Sequence, residues 1–556
     1  MISQAEQYLL ELVNRARLDP QAEADRYGID LNQGLNAATI TSDAKQVLAP
    51  NEKLELASQL HSLWMLDTNV FSHTGDGGST LRQRAEAAGY TLSGSWRLGE
   101  NIAWSGTTGT LNLAAQIDVH HQGLFLSSGH RQNLLDDHFR EIGIAQEAGQ
   151  FLYSGQNYDA SMLTEKFGKS GSNIFITGVV YDDLDEDYFF SVGEGRSNAT
   201  FTVRSASSVS ADAGGYSIAV SPRDAVTVSI SYQGFQGSLS IMPEGENTKV
   251  DLVDGERVLL SKSATLLTGI AEATLLGIED IDLQGSMASD VLTGNSGDNV
   301  VIGASGNDVI YGGDGNDLLN GGLNNDRLLG GEGVDTLNGG DGDDVLIDRV
   351  GATNTFNGGA GEDRVVSGDG IDIVSGGSER DVIKTYGGAD EINGDGGDDV
   401  ILSGDGHDIV YGGDNDDVIK TGLGNDTVYG GEGNDIIYGW RGDDELYGGA
   451  GDDVIRGDFD GDIIEGGAGN DRLVGAPGRD TFIFRDGFEE DRILDFTDRS
   501  DLLDFSQHTG VGSIDDLSIT QVSTNVVITD GDGGRVVLAN TDIADISETD
   551  FIFSIA

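Results

Sequence analysis

An aspartate stands at every ninth position across the second half of the chain, at Asp363, Asp372, Asp381, Asp390, Asp399, Asp408, Asp417, Asp426, Asp435, Asp444, Asp453, Asp462, Asp471 and Asp480. An earlier run keeps the same step: Asp290, Asn299, Asp308, Asp317, Asp326, Asp335 and Asp344. Ligands that are all oxygen, with no histidine or cysteine among the repeated positions, select a hard cation, calcium before zinc or copper. The expected ligands are the aspartates from Asp308 to Asp344 and from Asp363 to Asp471. A smaller acidic group, Asp183, Asp185 and Asp187, occupies positions one, three and five of a calcium-loop count, with Glu194 at twelve. Tyr188 fills the sixth position, where an EF-hand needs glycine, so that loop is either a calcium site of another kind or a plain acidic turn.

Other chemistry resides in three strings near the start: Phe71-Ser72-His73, Gly99-Glu100-Asn101-Ile102-Ala103, and Ser128-Gly129-His130-Arg131-Gln132-Asn133-Leu134-Leu135. Two imidazoles and a carboxylate suit either a divalent ion such as Zn2+ or acid-base work. Separations of 27 and 30 residues do not bring them together by themselves, and local packing is the plainer reading. His61, His120 and His121 fall on predicted helices and read as satisfied or solvent-facing.

The ladder needs elements that repeat with it. The nonapeptide is Gly-Gly-x-Gly-x-Asp-x-apolar-x, as in Gly430-Gly431-Glu432-Gly433-Asn434-Asp435 followed by Ile436-Ile437-Tyr438. A glycine-rich turn and a three-residue strand alternate, and the middle strand residue points inward. Two units make an eighteen-residue coil, so aspartates eighteen apart stack at roughly 4.8 Å. Outward residues then form rows: Tyr411, Tyr429 and Tyr447 on one face, Lys384, Lys420 and Arg456 on the other. Between Asp344 and Asp363 the step is nineteen, which predicts a register slip near 348–357 and a roll in two blocks, 286–347 and 358–480.

Composition agrees with this design. The 556 residues carry 84 glycines, 5 prolines and no cysteine, with a net charge of -63. Such charge opposes compaction unless cations neutralise it, and it excludes nucleic acid as a partner. One ion per pair of stacked loops gives an upper bound of ~17 calcium ions. No run approaches the ~18 apolar residues of a spanning helix, and the start, Met1-Ile2-Ser3-Gln4, has no cleavable signal pattern, so the expectation is a chain exported whole.

Helices are predicted around Leu9–Ala16, Leu54–Leu66, Ser79–Ala88 and Leu111–Leu126, with strands at Ile142–Ala145 and Phe151–Tyr153. The three strings, after Leu10-Glu11-Leu12-Val13-Asn14-Arg15-Ala16-Arg17, resemble in order and spacing the bacterial branch of the CAP superfamily (SCP/PR-1-like proteins). That resemblance implies an open cleft holding His73, Glu100 and His130. Leu124 and Ser127 depart from the pattern, the latter where many members carry a second glutamate. Strands flanking the 182–187 loop and near 213–230 resemble a small transthyretin-like β-sandwich, and the repeats resemble RTX, hemolysin-type calcium-binding proteins. The segment after Asp480, ending Asp550-Phe551-Ile552-Phe553-Ser554-Ile555-Ala556, resembles the serralysin-like C-terminal module with its type I secretion signal.

The expected organisation is thus multidomain: an α+β CAP sandwich (1–165), a small β-sandwich with roll entry (166–285), a right-handed parallel β-roll (286–480), and a C-terminal β cap with secretion signal (481–556). The expected protein is secreted from a Gram-negative bacterium by the type I machinery. It would fold on calcium outside the cell, span no membrane, and offer the cleft to an extracellular lipid, glycan or protein. A metal-assisted or acid-base hydrolase and a structural matrix or adhesin protein are the alternatives.

Overall fold

Ser3 and Glu6 set the first helix, α1 (Gln4–Leu18). The Ser3 hydroxyl accepts from Glu6 N, and the Glu6 carboxylate accepts from Ser3 N in return. Asp19-Pro20 ends α1 and at once begins α2 (Pro20–Arg26), with Asp19 as N-cap and proline in the first turn, where its missing N–H costs nothing. The structure, a computed structural model, describes residues 2–221, 225–351 and 353–554. Ala352, in the predicted slip, and Ile555 and Ala556, in the predicted export signal, lie outside them.

The chain divides into two units, residues 1–286 with 290–299, and 287–289 with 300–556. In the first, α3 (Glu52–Thr68), α4 (Leu81–Ala87), α5 (Leu113–Leu126) and α6 (Ser128–Leu134) accompany a four-stranded sheet. Its strands are β1 (Ala49–Pro50), β2 (Arg97–Thr107), β3 (Glu141–Tyr153) and β4 (Gln156–Lys169), in the order β1-β3-β4-β2. The two short strands predicted near Ile142 and Phe151 are one continuous β3, hairpinned onto β4 through the turn at 154–155. The register places Glu100 directly opposite Lys166. Helix α3 lies so close to β3 that a Cβ at Gly143 would sit 2.0 Å from the Leu54 and Glu55 backbone, so only glycine fits there. Leu9, Val13, Ile117, Phe125, Ile142 and Phe167 form the core.

Further along this unit, Ile174–Tyr181 runs between Gly215–Val220 and Thr248–Val253 in one sheet, while Val226–Tyr232 pairs with Thr200–Val203 and Phe235–Ile241 in another. Phe201 and Tyr216 stack with centroids 3.6 Å apart, one ring from each sheet. This is the expected sandwich, and parallel strands such as Arg257–Leu260 with Glu272–Leu275 follow it.

The second unit is a parallel solenoid. Each short strand pairs with the one eighteen residues later, as Val418–Leu423 does with Ile436–Arg441, which builds two sheets of alternating membership. Middle strand residues such as Ile401, Val410, Ile419 and Val428 are fully buried, as the period requires. Tyr411, Tyr429 and Tyr447 stack at 5.2 and 5.1 Å with planes 9° apart.

At the slip, Thr336 pairs with Thr355 and Val345 with Arg364, nineteen apart in both sheets. Asn354 takes a ladder place, its Oδ1 accepting from Asp335 N and its own N donating to Asp372 Oδ1. One extra residue is absorbed in the turn before Asn354, and pairing passes from one block into the next without a gap. Near the end, Asn525–Thr529 and Arg535–Leu538 form the predicted hairpin, and Leu503-Asp504 pairs with Phe551-Ile552. Phe484, Phe488, Phe505 and His508 pack together there. No helix among the described residues is long and apolar enough to cross a membrane.

Candidate calcium ladder and histidine cleft

Every ladder aspartate from Asp363 to Asp480 is at most 2% exposed. Each uses one carboxylate oxygen to hold the coil before it. Asp399 N donates to Asp417 Oδ1 (2.8 Å), Asp417 N to Asp435 Oδ1 (2.9 Å), and Asp435 N to Asp453 Oδ1 (2.8 Å). The other oxygen, Oδ2, is buried at Asp399, Asp417, Asp435 and Asp453 without a hydrogen-bond partner. A buried carboxylate oxygen left unpaired costs several kcal/mol, and a cation is the group that recovers it.

The turn supplies further oxygens at the same place. A Cβ on Gly412 would lie 2.4 Å from both Asp417 Oδ2 and the Gly430 carbonyl, and one on Gly430 would lie 2.4 Å from both Asp435 Oδ2 and the Gly448 carbonyl. Glycine therefore leaves open a space bounded by a carboxylate and a carbonyl from the next coil. That donor set fits calcium. Burial, followed by repulsion from the stacked neighbours, pushes Asp417 and Asp453 up to about 8 even though backbone N–H donors pull the other way. Asp326 and Asp344 reach about 7 for the same reasons. The column is thus poorly suited to bare negative charge.

In the acidic loop Asp183, Asp185 and Asp187 each bring one oxygen within 4.8 Å of the others. Asp183 already accepts from Asp187 N and Tyr188 N, and Glu194 accepts from Leu184 N and Ser191 N.

The first-unit strings converge on Glu100. Its carboxylate lies on β2, 3% exposed, and accepts from His73 Nδ1 (3.0 Å), from Arg84 on α4 (2.7 Å) and from Lys166 on β4. His61 on α3 brings Nε2 within 3.9 Å while donating it to Ser72 O (3.0 Å), and it stacks on Trp64. His130, on α6, faces His73 with ring centroids 6.5 Å apart. The residues that follow it fix its position: buried Arg131 donates to Leu31 O and Phe125 O, and Asn133 donates to Glu100 O and Asn101 Oδ1.

Burial alone would raise Glu100, but His73, Lys166 and Arg84 more than reverse it and hold the carboxyl at about 2. Such a group stays ionised near neutrality, held by its cationic neighbours. It also does not fit as a zinc ligand, since both oxygens are occupied by cationic donors. What remains is an imidazole, His73, more than half exposed and backed by a fixed carboxylate. His61 is buried rather than solvent-facing, and burial lowers it to about 4 despite the nearby Glu100. His120 and His121 are likewise buried, bonded to Ser161 Oγ (2.8 Å) and Glu23 Oε1 (2.9 Å).

Sequence reasoning missed Arg84, Lys166 and the contribution of His61. Glu165, beside Lys166 on β4, was also missed; burial raises it to about 7, with Asn101 donating to it (3.1 Å).

The cysteine-rich secretory protein family (CAP) model matches residues 10–158, and the RTX calcium-binding nonapeptide repeat model matches seven segments between 284 and 482. The chain joins a CAP domain to RTX calcium-binding repeats. Its CAP domain is free of the cysteines that name the family. No curated protein matches the chain. Among solved structures, an outer surface protein of Borrelia burgdorferi is similar at 15% identity and TM-score 0.17, over 28% of this chain and 96% of that one. The extracellular lipase LipA of Serratia marcescens is similar at 15% identity and TM-score 0.19, over 51% of this chain and 45% of that one. Scores this low define no shared fold, and the assignment rests on the two family models and the geometry above.

Proposed function

We propose that this is a secreted RTX protein whose roll folds on calcium after export through the type I machinery of a Gram-negative bacterium, carrying a CAP domain that binds an extracellular ligand without turnover. The observation that carries the calcium reading is the column of buried Oδ2 atoms at Asp399, Asp417, Asp435 and Asp453, which lack a hydrogen-bond partner and share their glycine-lined space with a carbonyl of a neighbouring turn. Asp308, Asp317, Asp326, Asp335 and Asp344 and the aspartates from Asp363 to Asp471 would hold the ions. The loop of Asp183, Asp185 and Asp187 is a further place where a divalent ion fits by distance. Calcium bound there would draw the oxygens off part of their backbone hydrogen bonding.

For the CAP cleft, the fixed charge of Glu100 favours recognition over catalysis: it orients His73 outward, next to His130, toward a lipid, glycan or protein. The alternative, an acid-base or metal-assisted hydrolase, would use His73 with Glu100 as its positioning partner. Screening the full chain against peptide, ester and glycan libraries tests this. Turnover abolished by His130→Ala would overturn the binding reading. Deletion of 481–556 should leave the protein inside the cell; undiminished export would remove the type I reading.

A further inference from the structure

The two sheets of the roll carry opposite charge on their outer faces. In the sheet running from Val309–Asp314 through Ile436–Arg441 to Arg472–Val474, the outward positions of each three-residue strand core hold Arg327, Arg364, Lys384, Lys420, Arg456 and Arg472. Among the described residues no acidic side chain occupies an outward position of those cores. The opposite sheet, from Val300–Ser305 to Thr481–Ile483, reverses this, with Glu391, Glu445 and Glu465 outward and no lysine or arginine. In a chain with 95 acidic and 32 basic residues, a strand-core surface that carries bases and no acid stands out, although acids such as Asp405 and Asp458 follow at the strand ends.

Within it, one row alternates. Lys384, Leu402, Lys420, Tyr438, Arg456 and Val474 follow one another coil by coil, a cation and then an apolar side chain. Lys420 Nζ lies 5.6 Å from the Tyr438 ring centre, and Lys384 Nζ lies 4.3 Å from that of Tyr386. Arg456 is paired with Asp458, while Lys384 and Lys420 make no ion pair among the described residues. The cations thus recur every two coils, ~9.6 Å.

Dimensions decide between occupants. The alternating row is ~24 Å long and ~10 Å wide, about 240 Å², well under the ~800 Å² per side of a standard protein interface. A linear polymer along the roll axis fits it. A nucleic-acid strand carries a charge each ~3.4 Å, nearly three times too dense for these cations, and the chain's net charge repels it. We propose that this face binds an extended acidic polysaccharide in which a charged sugar alternates with an uncharged one: the lysines and arginine meet its carboxylates, while Leu402 and Tyr438 pack against the intervening rings. The proposal rests on the calcium reading in one respect, since ions in the ladder neutralise the acidic loops that border the face.

The test uses the full chain in calcium with hyaluronan oligosaccharides as probe, uncharged dextran and single-stranded DNA of equal length as comparators, and titration calorimetry at two salt concentrations. Hyaluronan should bind, more weakly at higher salt. Lys384→Gln, Lys420→Gln and Arg456→Gln together should weaken it at least tenfold, while Lys384→Arg with Lys420→Arg retains it and Glu445→Gln on the other face changes nothing. Unchanged affinity in the triple variant, equal affinity for dextran, tighter binding of DNA, or no binding of hyaluronan would each overturn the proposal. Circular dichroism of the same samples keeps the two readings apart: strand signal insensitive to calcium would contradict the calcium reading while leaving the hyaluronan comparison in force.

Discussion

Glu100 and Asp417 are both buried carboxylates, and the chain treats them in opposite ways. Glu100 receives Arg84, Lys166 and His73 from its own sequence and is held at about 2; the Asp417 carboxylate accepts one backbone N–H, from Asp399, lies among other aspartates, and is pushed up to about 8. One region is complete when the chain folds. The other leaves carboxylate oxygens buried without a hydrogen-bond partner, and on the proposed reading takes cations from solution to complete them, which would make its folding conditional on calcium. On the proposed function, self-sufficiency would suit a recognition domain, and dependence a segment that folds only after export.

The largest effect expected from breaking this contrast is at Glu100. Glu100→Gln strands Arg84 and Lys166 in the interior and should cost the first unit about 3–5 kcal/mol in chemical denaturation, with the calcium midpoint of the roll unchanged. Asp417→Asn should act with two signs. In calcium it should destabilise the roll by about 1–3 kcal/mol through a lost ligand, whereas in chelator it should raise the residual strand signal by removing an uncompensated buried charge. A variant destabilising under both conditions would mean that the aspartate serves the apo fold by hydrogen bonding alone.

Acid separates the regions in the same way. Without calcium, the folded roll holds protons on Asp417, Asp453 and Asp381 up to about 8, against 3.8 for an ordinary aspartate, so its stability rises as pH falls from 8 toward 4. In the first unit burial depresses His61 and His120 to about 4. The unfolded state then binds the extra protons between pH 6.5 and 4, and stability falls across that window. In chelator at pH 8, 6 and 5, strand signal from the roll should therefore grow as pH falls, while the thermal midpoint of the helical signal falls. The smallest effect belongs to the tyrosine row: Tyr429→Ala should cost ~0.5–1.5 kcal/mol of stability without altering calcium affinity.

The ladder was legible because a nine-residue period fixes which residues stack, which face inward and which face out, so Ile419 in the core and Tyr429 in its row follow from counting. The slip was visible as a number, but not the substitution of Asn354 for an aspartate, since that depends on where the turn absorbs the extra residue. In the CAP domain the motifs gave His73, Glu100 and His130. The partners of Glu100 stayed hidden because they depend on strand register across 66 residues, where Lys166 opposes Glu100, and on the packing of α3 and α4. Helix α6, seven residues long, is too short to show a period, yet it carries His130.

The most direct test of the central contrast is a calcium titration of the full chain followed by circular dichroism, starting from excess EGTA. The predicted result is helical signal from the CAP domain present throughout, with strand signal appearing cooperatively as calcium is added. Strand content already complete in EGTA would contradict the account.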